Sequence, residues 1–264
     1  MAEFTSHAPG APSWVDLMTP DADAAKAFYG ELFGWACEDQ FDDDGNRVYV
    51  MASLDGKAVA GMGSPPPGAP EMPAVWNTYI TVDDVAASAQ QVEAAGGSVL
   101  MPAMQVMDSG SMAVFADPTG AAFSVWQPNQ HIGAQLTNVP NTWSWNELST
   151  RDVETAKGFY TKVFGWTYDD HEMPDGTYSV IEGGNDEGMG ALLNMPAEVP
   201  EMVPNHWAVY FAVADFSASA TKARELGAQQ VMDEMTVPGV GTFAVFHDPA
   251  GAAFYLMQPE EAPA

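Results

Sequence analysis

The chain has almost no cysteine. Cys37 stands alone among 264 residues, so no internal disulfide can close and no cysteine-based zinc site can form. It follows a helix pattern in an apolar stretch and reads as a buried, inert thiol. Basic residues are nearly as scarce: 8 Lys and Arg face 36 Asp and Glu, a formal net charge of −28. That balance argues against nucleic acid as a partner, because phosphates are neutralised by Lys and Arg. It also argues against an anionic membrane surface. Its plain consequence is solubility through self-repulsion. No apolar run approaches the roughly 18 residues of a membrane span. Residues 1–13 lack the basic and apolar regions of a secretory signal, so a cytoplasmic protein is expected, with signal-independent export left open. The five histidines (His7, His131, His171, His206 and His247) show no metal-ligand spacing, and no Gly-x-Ser-x-Gly elbow or phosphate loop is present.

What the chain does have is a copy of itself. Trp14-Val15-Asp16-Leu17, then Phe28-Tyr29 and Phe33-Gly34-Trp35, return as Trp145-Asn146-Glu147-Leu148, Phe159-Tyr160 and Phe164-Gly165-Trp166, each 131 residues later. The same offset of 131 links Asp21 to Asp152, Trp76 to Trp207, Asp117 to Asp248 and Gln127-Pro128 to Gln258-Pro259. An internal repeat of this kind fixes the architecture before any local reading does. Two domains of ordinary size follow, each large enough for its own core.

Within each copy the hydrophobic period switches from two to about 3.6 and back. Residues 13–18 alternate as a strand. Thr19-Pro20-Asp21 supplies helix-start chemistry, and Gly34 suits a left-handed stop. Strands are expected over 35–41, 47–54 and 57–63, with turns at Asp44-Gly45-Asn46 and Asp55-Gly56. A connector rich in Pro and Gly over 64–73 precedes a second strand, helix and three strands. The second half repeats both units, giving four strand-helix-three-strand modules. The boundaries read as a loose tail over 1–12, a first domain over 13–129, a linker over 130–141 and a second domain over 142–260. Gly61-Met62-Gly63 returns as Gly188-Met189-Gly190 at an offset of 127 rather than 131, so the hairpins there differ in length.

Paired modules of this kind, with helices ending Phe-Tyr-…-Phe-Gly-Trp, a Val-Asp-Asp before the second helix and Asp-Pro-x-Gly before the last strand, resemble the vicinal oxygen chelate superfamily of glyoxalases, bleomycin-resistance proteins and extradiol dioxygenases. The resemblance covers Ser13 to Pro259. It is nearest to tandem glyoxalase-like proteins often labelled hydroxylases in actinobacteria, among them a mycobacterial secreted antigen. It implies an α+β fold in which two βαβββ modules form one cupped mixed sheet. In that family the concave side binds a small molecule, often through a divalent metal held by the first, fifth and eighth strands. Those positions fall here on Trp14, Asn77 and Ser124, and on Trp145, Ala208 and Tyr255. The His, Gln or Glu ligands that the resemblance leads one to expect are missing, so no cofactor is expected and a divalent metal is disfavoured.

Two carboxylates remain. Asp16 and Glu147 stand two residues after Trp14 and Trp145, on the same strand face. A carboxylate beside an indole in a concave site could act as a general base, bind a ligand amine or hydroxyl, or serve as an unorthodox metal ligand; a structural role, accepting neighbouring hydrogen bonds, fits equally. Trp14, Asn77, Ser124, Trp126, Trp145 and Tyr255 are candidate ligand-binding residues, joined by His247 at a strand end near a pocket mouth. Trp76 and Trp207 read as core, and Trp35, Trp166 and the Phe-Tyr pairs as packing. Two functions stay open: metal-independent binding or sequestration of a small neutral or cationic organic molecule, or a glyoxalase-like lyase, isomerase or hydroxylase working through Asp16 or Glu147. A tandem chain already supplies paired domains, so a monomer is the default.

Overall fold

The computed structural model describes residues 2–65, 72–173, 176–182 and 190–260. Gly188, Met189 and most of the first connector lie outside them. The first domain runs β1 (Pro12–Met18), α1 (Ala22–Phe33), β2 (Ala36–Phe41), β3 (Arg47–Leu54) and β4 (Lys57–Gly63), then β5 (Val75–Thr81), α2 (Val85–Ala94), β6 (Ser98–Val106), β7 (Gly110–Ala116) and β8 (Ala122–Pro128). Its eight strands order as β2-β3-β4-β1-β5-β8-β7-β6. The two modules meet where β1 pairs antiparallel with β5, flanked by the parallel pairs β1–β4 and β5–β8.

The second domain repeats this with β9 (Trp143–Thr150), α3 (Val153–Phe164), β10 (Thr167–Met173), β11 (Gly176–Glu182), β12 (Ala191–Asn194), β13 (His206–Ala212), α4 (Phe216–Glu225), β14 (Gln229–Gln230), β15 (Met235–Val237), β16 (Gly241–His247) and β17 (Ala253–Pro259). The strand expected after α4 is broken into β14 and β15, both paired with β16. The helices begin as their sequences imply. Asp21 accepts a hydrogen bond from Ala24 N at 2.9 Å and Asp152 from Thr155 N at 3.0 Å, which satisfies otherwise orphaned first-turn donors. Gly34 and Gly165 close α1 and α3 at φ 73° and 74°, a conformation glycine adopts without steric cost.

The two domains pack through their helix-bearing faces, and each core is shared. One joins Phe28, Tyr29 and Phe33 of α1 to Phe211, Phe254 and Leu256 of the second domain. The other joins Phe159 and Tyr160 of α3 to Phe115, Phe123 and Val125 of the first. Buried Tyr29 donates to Asp248 Oδ2 at 3.0 Å and accepts from Trp76 Nε1 at 2.9 Å. Tyr160 donates to Asp117 Oδ2 at 3.1 Å and accepts from Trp207 Nε1 at 2.9 Å. The repeated Tyr, Trp and Asp-Pro-x-Gly positions thus form two copies of one interdomain relay, related by a pseudo-twofold. Trp76 and Trp207 belong to this seam and not to the cups.

Two expectations need correction. The described part of the expected tail over 1–12 is not loose: Ala2–Glu3 pairs with Leu136–Thr137, Gly10 N donates to Thr81 O at 2.8 Å, and Gly10 O accepts from Trp166 Nε1 at 2.8 Å across the domain seam. Its pseudo-twofold mate is Asn141, whose carbonyl accepts from Trp35 Nε1 at 2.7 Å. The second correction concerns Cys37, which is only half-buried on the edge strand β2, because alternation on an edge leaves that side chain just one sheet neighbour to cover it.

Candidate functional site

Odd and even positions of β1 separate two environments. Val15 and Leu17 face the shared core. Trp14 and Asp16 face the other way, into the cup, and β5 places Asn77 and Tyr79 opposite them. Asp16 is the centre of the first cup. Its Oδ2 accepts from Tyr49 OH at 2.9 Å and Tyr79 OH at 3.0 Å, and its Oδ1 from Asn77 Nδ2 at 2.9 Å. Trp14 Nε1 donates to Tyr49 OH at 3.0 Å, which orients that phenol. The ring of Tyr49 lies across Gly61, where a Cβ would collide with it. Ser124 stands level with Tyr79 in the ladder. Trp126 completes the row, with its Nε1 donating to His131 O at 2.8 Å.

The second cup repeats the theme with altered parts. Trp145 Nε1 donates to Tyr178 OH at 3.1 Å, and Tyr210 OH donates to Glu147 Oε1 at 2.7 Å, with Tyr178 also turned to that carboxylate. Ala208 replaces Asn77, removing a donor. Glu replaces Asp, and the extra methylene carries the carboxylate outward toward the phenols. Tyr255, in place of Ser124, stacks on Tyr210 with centroids 4.1 Å apart and planes at 27°. Phe243 packs edge-on to Tyr210 at 6.1 Å. Trp145, Tyr178, Phe243 and Tyr255 are all partly exposed, whereas Trp14 and Trp126 of the first cup are buried.

Burial raises the carboxyl pKa of both Asp16 and Glu147, because desolvation disfavours the charged form. Hydrogen bonds from Asn77, Tyr49 and Tyr79, and from Tyr210 and Tyr178, offset part of that rise. The phenols are pushed up in turn, first by burial and then by the neighbouring carboxylate, so they remain donors at neutral pH.

The donor set does not fit a hard divalent ion. Such an ion needs several convergent oxygen or imidazole ligands. Among the described residues each cup offers one carboxylate, and in the first cup both its oxygens already accept hydrogen bonds. Trp14 and Trp145 present only an N–H, and Ala208 presents nothing. Among the described residues no group of three or more His, Cys, Asp and Glu gathers at one point.

The structure brings Trp14, Asp16, Asn77, Ser124 and Trp126 together in one cup, and Trp145, Glu147 and Tyr255 in the other. His247 shares a strand face with Phe243 but sits four residues beyond it, at the strand's end opposite Ala253, and no hydrogen bond joins it to Glu147. Sequence reasoning missed the phenols. Tyr79 and Tyr210 could have been found, since they keep the 131 offset and stand two residues after Asn77 and Ala208 on the same face. Tyr49 and Tyr178 lie 129 apart, so a length change hides their equivalence.

Comparison with known proteins agrees with this architecture. The sequence profile of the Glyoxalase/Bleomycin resistance protein/Dioxygenase superfamily matches residues 11–125 and again 142–256. CFP32 of Mycobacterium tuberculosis (strain CDC 1551 / Oshkosh) is 47% identical over 261 residues, covering 98% of each chain. Anthracycline biosynthesis protein DnrV of Streptomyces peucetius is 38% identical over 273 residues, covering 98% of this chain and 96% of its own. Among solved structures, the Mn(II)-bound glyoxalase from Novosphingobium aromaticivorans superposes with a TM-score of 0.66 at 20% identity, over 96% of this chain and 83% of that one. The 2,3-dioxygenase LapB from Pseudomonas sp. KL28 gives 0.65 at 13%, over 97% and 95%. At these identities the structural likeness speaks for the fold alone. The chain belongs to the Glyoxalase/Bleomycin resistance protein/Dioxygenase superfamily and carries two copies of its domain in tandem.

Proposed function

We propose that the protein binds a flat organic molecule, neutral or cationic, on the cup face of its second domain, without a metal ion. The observation that carries this reading is Glu147: a buried carboxylate held by Tyr210, beneath a rim of partly exposed aromatic rings, with the donor of the first cup deleted at Ala208. Aromatic walls with a few fixed polar groups are the usual make-up of small-molecule sites. Stacked Tyr210 and Tyr255 offer a planar platform, and Glu147 offers an acceptor for a ligand amine or hydroxyl. The net charge of −28 adds long-range attraction for cations and repels anions. Relatives named for anthracycline biosynthesis fit a ligand with a fused aromatic face.

A second reading has its own support. Burial raises the pKa of Glu147, which is how a carboxylate becomes a useful general base, and a name in biosynthesis suits a relative that turns over its ligand. In that case Glu147 takes a proton from a bound substrate and returns it elsewhere, an isomerisation that needs no further reactant.

The test uses protein dialysed against a chelator. Tryptophan fluorescence, titrated with 9-aminoacridine and with a neutral anthraquinone, should saturate. Glu147→Gln should weaken the cationic probe at least tenfold, equivalent to about 1.4 kcal/mol, and Tyr255→Ala should weaken both. A flat response to a broad panel of aromatic probes, or binding that appears only with added metal, would remove the proposal. Conversion of a bound compound to an isomer, lost in Glu147→Gln, would favour the second reading.

A further inference from the structure

The first cup holds something that, among the described residues, the second does not: a piece of the chain itself. After β8 the linker does not leave the domain. His131 N donates to Ser109 O at 3.0 Å, Ala134 N to Ser13 O at 2.7 Å and Gln135 N to Ala58 O at 2.7 Å. Gln135 Oε1 accepts from Ala58 N at 3.0 Å. Gly133 takes φ 102° directly over the Ser13 carbonyl, where a Cβ would collide. These bonds carry His131 inward. Its imidazole stands edge-on to Trp14 at 4.5 Å and 84°, and edge-on to Trp126 at 5.7 Å and 68°. The N-terminal segment then holds the linker from outside, through Ala2–Glu3 pairing with Leu136–Thr137, Phe4 N donating to Gln135 O at 3.0 Å, and His7 Nε2 against Ala134 O at 2.8 Å.

We propose that the first cup is a ligand site occupied by the chain's own linker, with the His131 imidazole seated between two indoles where a small, flat, neutral heteroaromatic molecule would otherwise bind. Three observations support it beyond the edge-on ring geometry. The imidazole is desolvated enough to lower its pKa to about 4, with His7 adding to the effect, so it rests there as a neutral aromatic ring. Its Nε2 has no hydrogen-bond partner among the described residues, and neither do Ser13 Oγ, beside Trp14, and Thr81 Oγ1, level with Trp126 in the ladder. Buried polar atoms are nearly always paired, so the lodged ring leaves unused the hydrogen-bonding capacity that a better-matched heterocycle could satisfy. Finally, the β-bulge between Pro12 and Trp14, which re-aims side chains toward the cup, recurs at Trp143 and Trp145, yet Trp145 stays partly exposed. Among the described residues one scaffold is thus covered by its own chain and its twin is not, and this holds whatever the second cup binds.

The experiment is chemical rescue of His131→Gly with free imidazole, at a pH where imidazole is unprotonated. The variant should lose several degrees of thermal midpoint, about 5 °C or more for a chain of this size. Added imidazole should restore the midpoint saturably and quench the variant's tryptophan fluorescence along the same curve, with the wild type unmoved. His131→Asn, which keeps a polar side chain but no ring, should be rescued in the same way. If either variant folds only when refolded with imidazole, the proposal stands. It falls if the glycine variant matches wild-type stability, if imidazole shifts variant and wild type alike, or if neither variant folds even with imidazole.

Discussion

Replacing Tyr29 by Phe deletes one oxygen from the centre of the domain seam. That oxygen donates to Asp248 Oδ2 at 3.0 Å and accepts from Trp76 Nε1 at 2.9 Å, and the residue is fully buried. The substitution therefore strands an indole N–H and a carboxylate oxygen, each costing about 1–3 kcal/mol when left unsatisfied. Asp248 keeps its bonds from Ala250 N and Ala252 N through Oδ1, which argues for the lower part of the range. A loss of about 3 kcal/mol follows, or roughly 6–12 °C in thermal midpoint for a chain of this length. Tyr160→Phe should cost the same, because Tyr160 makes the same bonds to Asp117 and Trp207. The sharper readout is a set of double-mutant cycles by denaturant unfolding. Tyr29→Phe should couple to Asp248→Asn by about 1 kcal/mol or more and not to Asp117→Asn, while Tyr160→Phe shows the reverse, since only groups in direct contact depart from additivity. Coupling of Tyr29 to Asp117 instead would refute the shared cores, because it would require α1 to pack on the second module of its own domain.

The buried carboxylates predict a pH dependence of a particular sign. Their folded pKa values lie above the unfolded values of about 4, so the native state binds protons more tightly and stability falls as pH rises through that window, then levels off. Asp16→Asn and Glu147→Gln should remove that component, so the stability of each variant relative to wild type should rise from pH 4 through the raised folded pKa; a difference flat with pH would count against buried, desolvated acids. The paired differences between the cups predict compensation. Asn77→Ala strands Asp16 Oδ1 and should cost about 1–3 kcal/mol, whereas adding Asp16→Glu, which rebuilds the pattern of Glu147 and Ala208, should recover at least half of that. Strictly additive losses would mean that the two substitutions are unrelated.

Much of the scaffold was legible because it depends on local periodicity. Arg47–Leu54 and Lys57–Gly63 fall where alternation placed them, and the offset between repeats carried one reading onto the other. The cup faces were legible too: Asp16 shares a face with Trp14 because strands alternate. What periodicity cannot reveal is the identity of a distant partner. Tyr29 reads as buried from its helix position, but nothing local says that Asp248, 219 residues away, accepts its hydrogen bond. The tail and linker look irregular because their hydrogen bonds run to other elements, Gly10 to Trp166 and Ala134 to Ser13. His131 has no counterpart histidine in the second half and carries no spacing signal, so only its position between two indoles marks it out.

We propose that the second cup alone takes an outside ligand, and does so through Glu147 and stacked phenols rather than through a metal. Calorimetric titration of chelator-treated protein with 9-aminoacridine tests it most directly. One molecule should bind per chain, with an affinity unchanged by adding Mn(II), a loss of at least tenfold, or about 1.4 kcal/mol, in Glu147→Gln, and no change in Ser124→Ala of the first cup. Two equivalent sites per chain, or binding that requires stoichiometric metal, would contradict it.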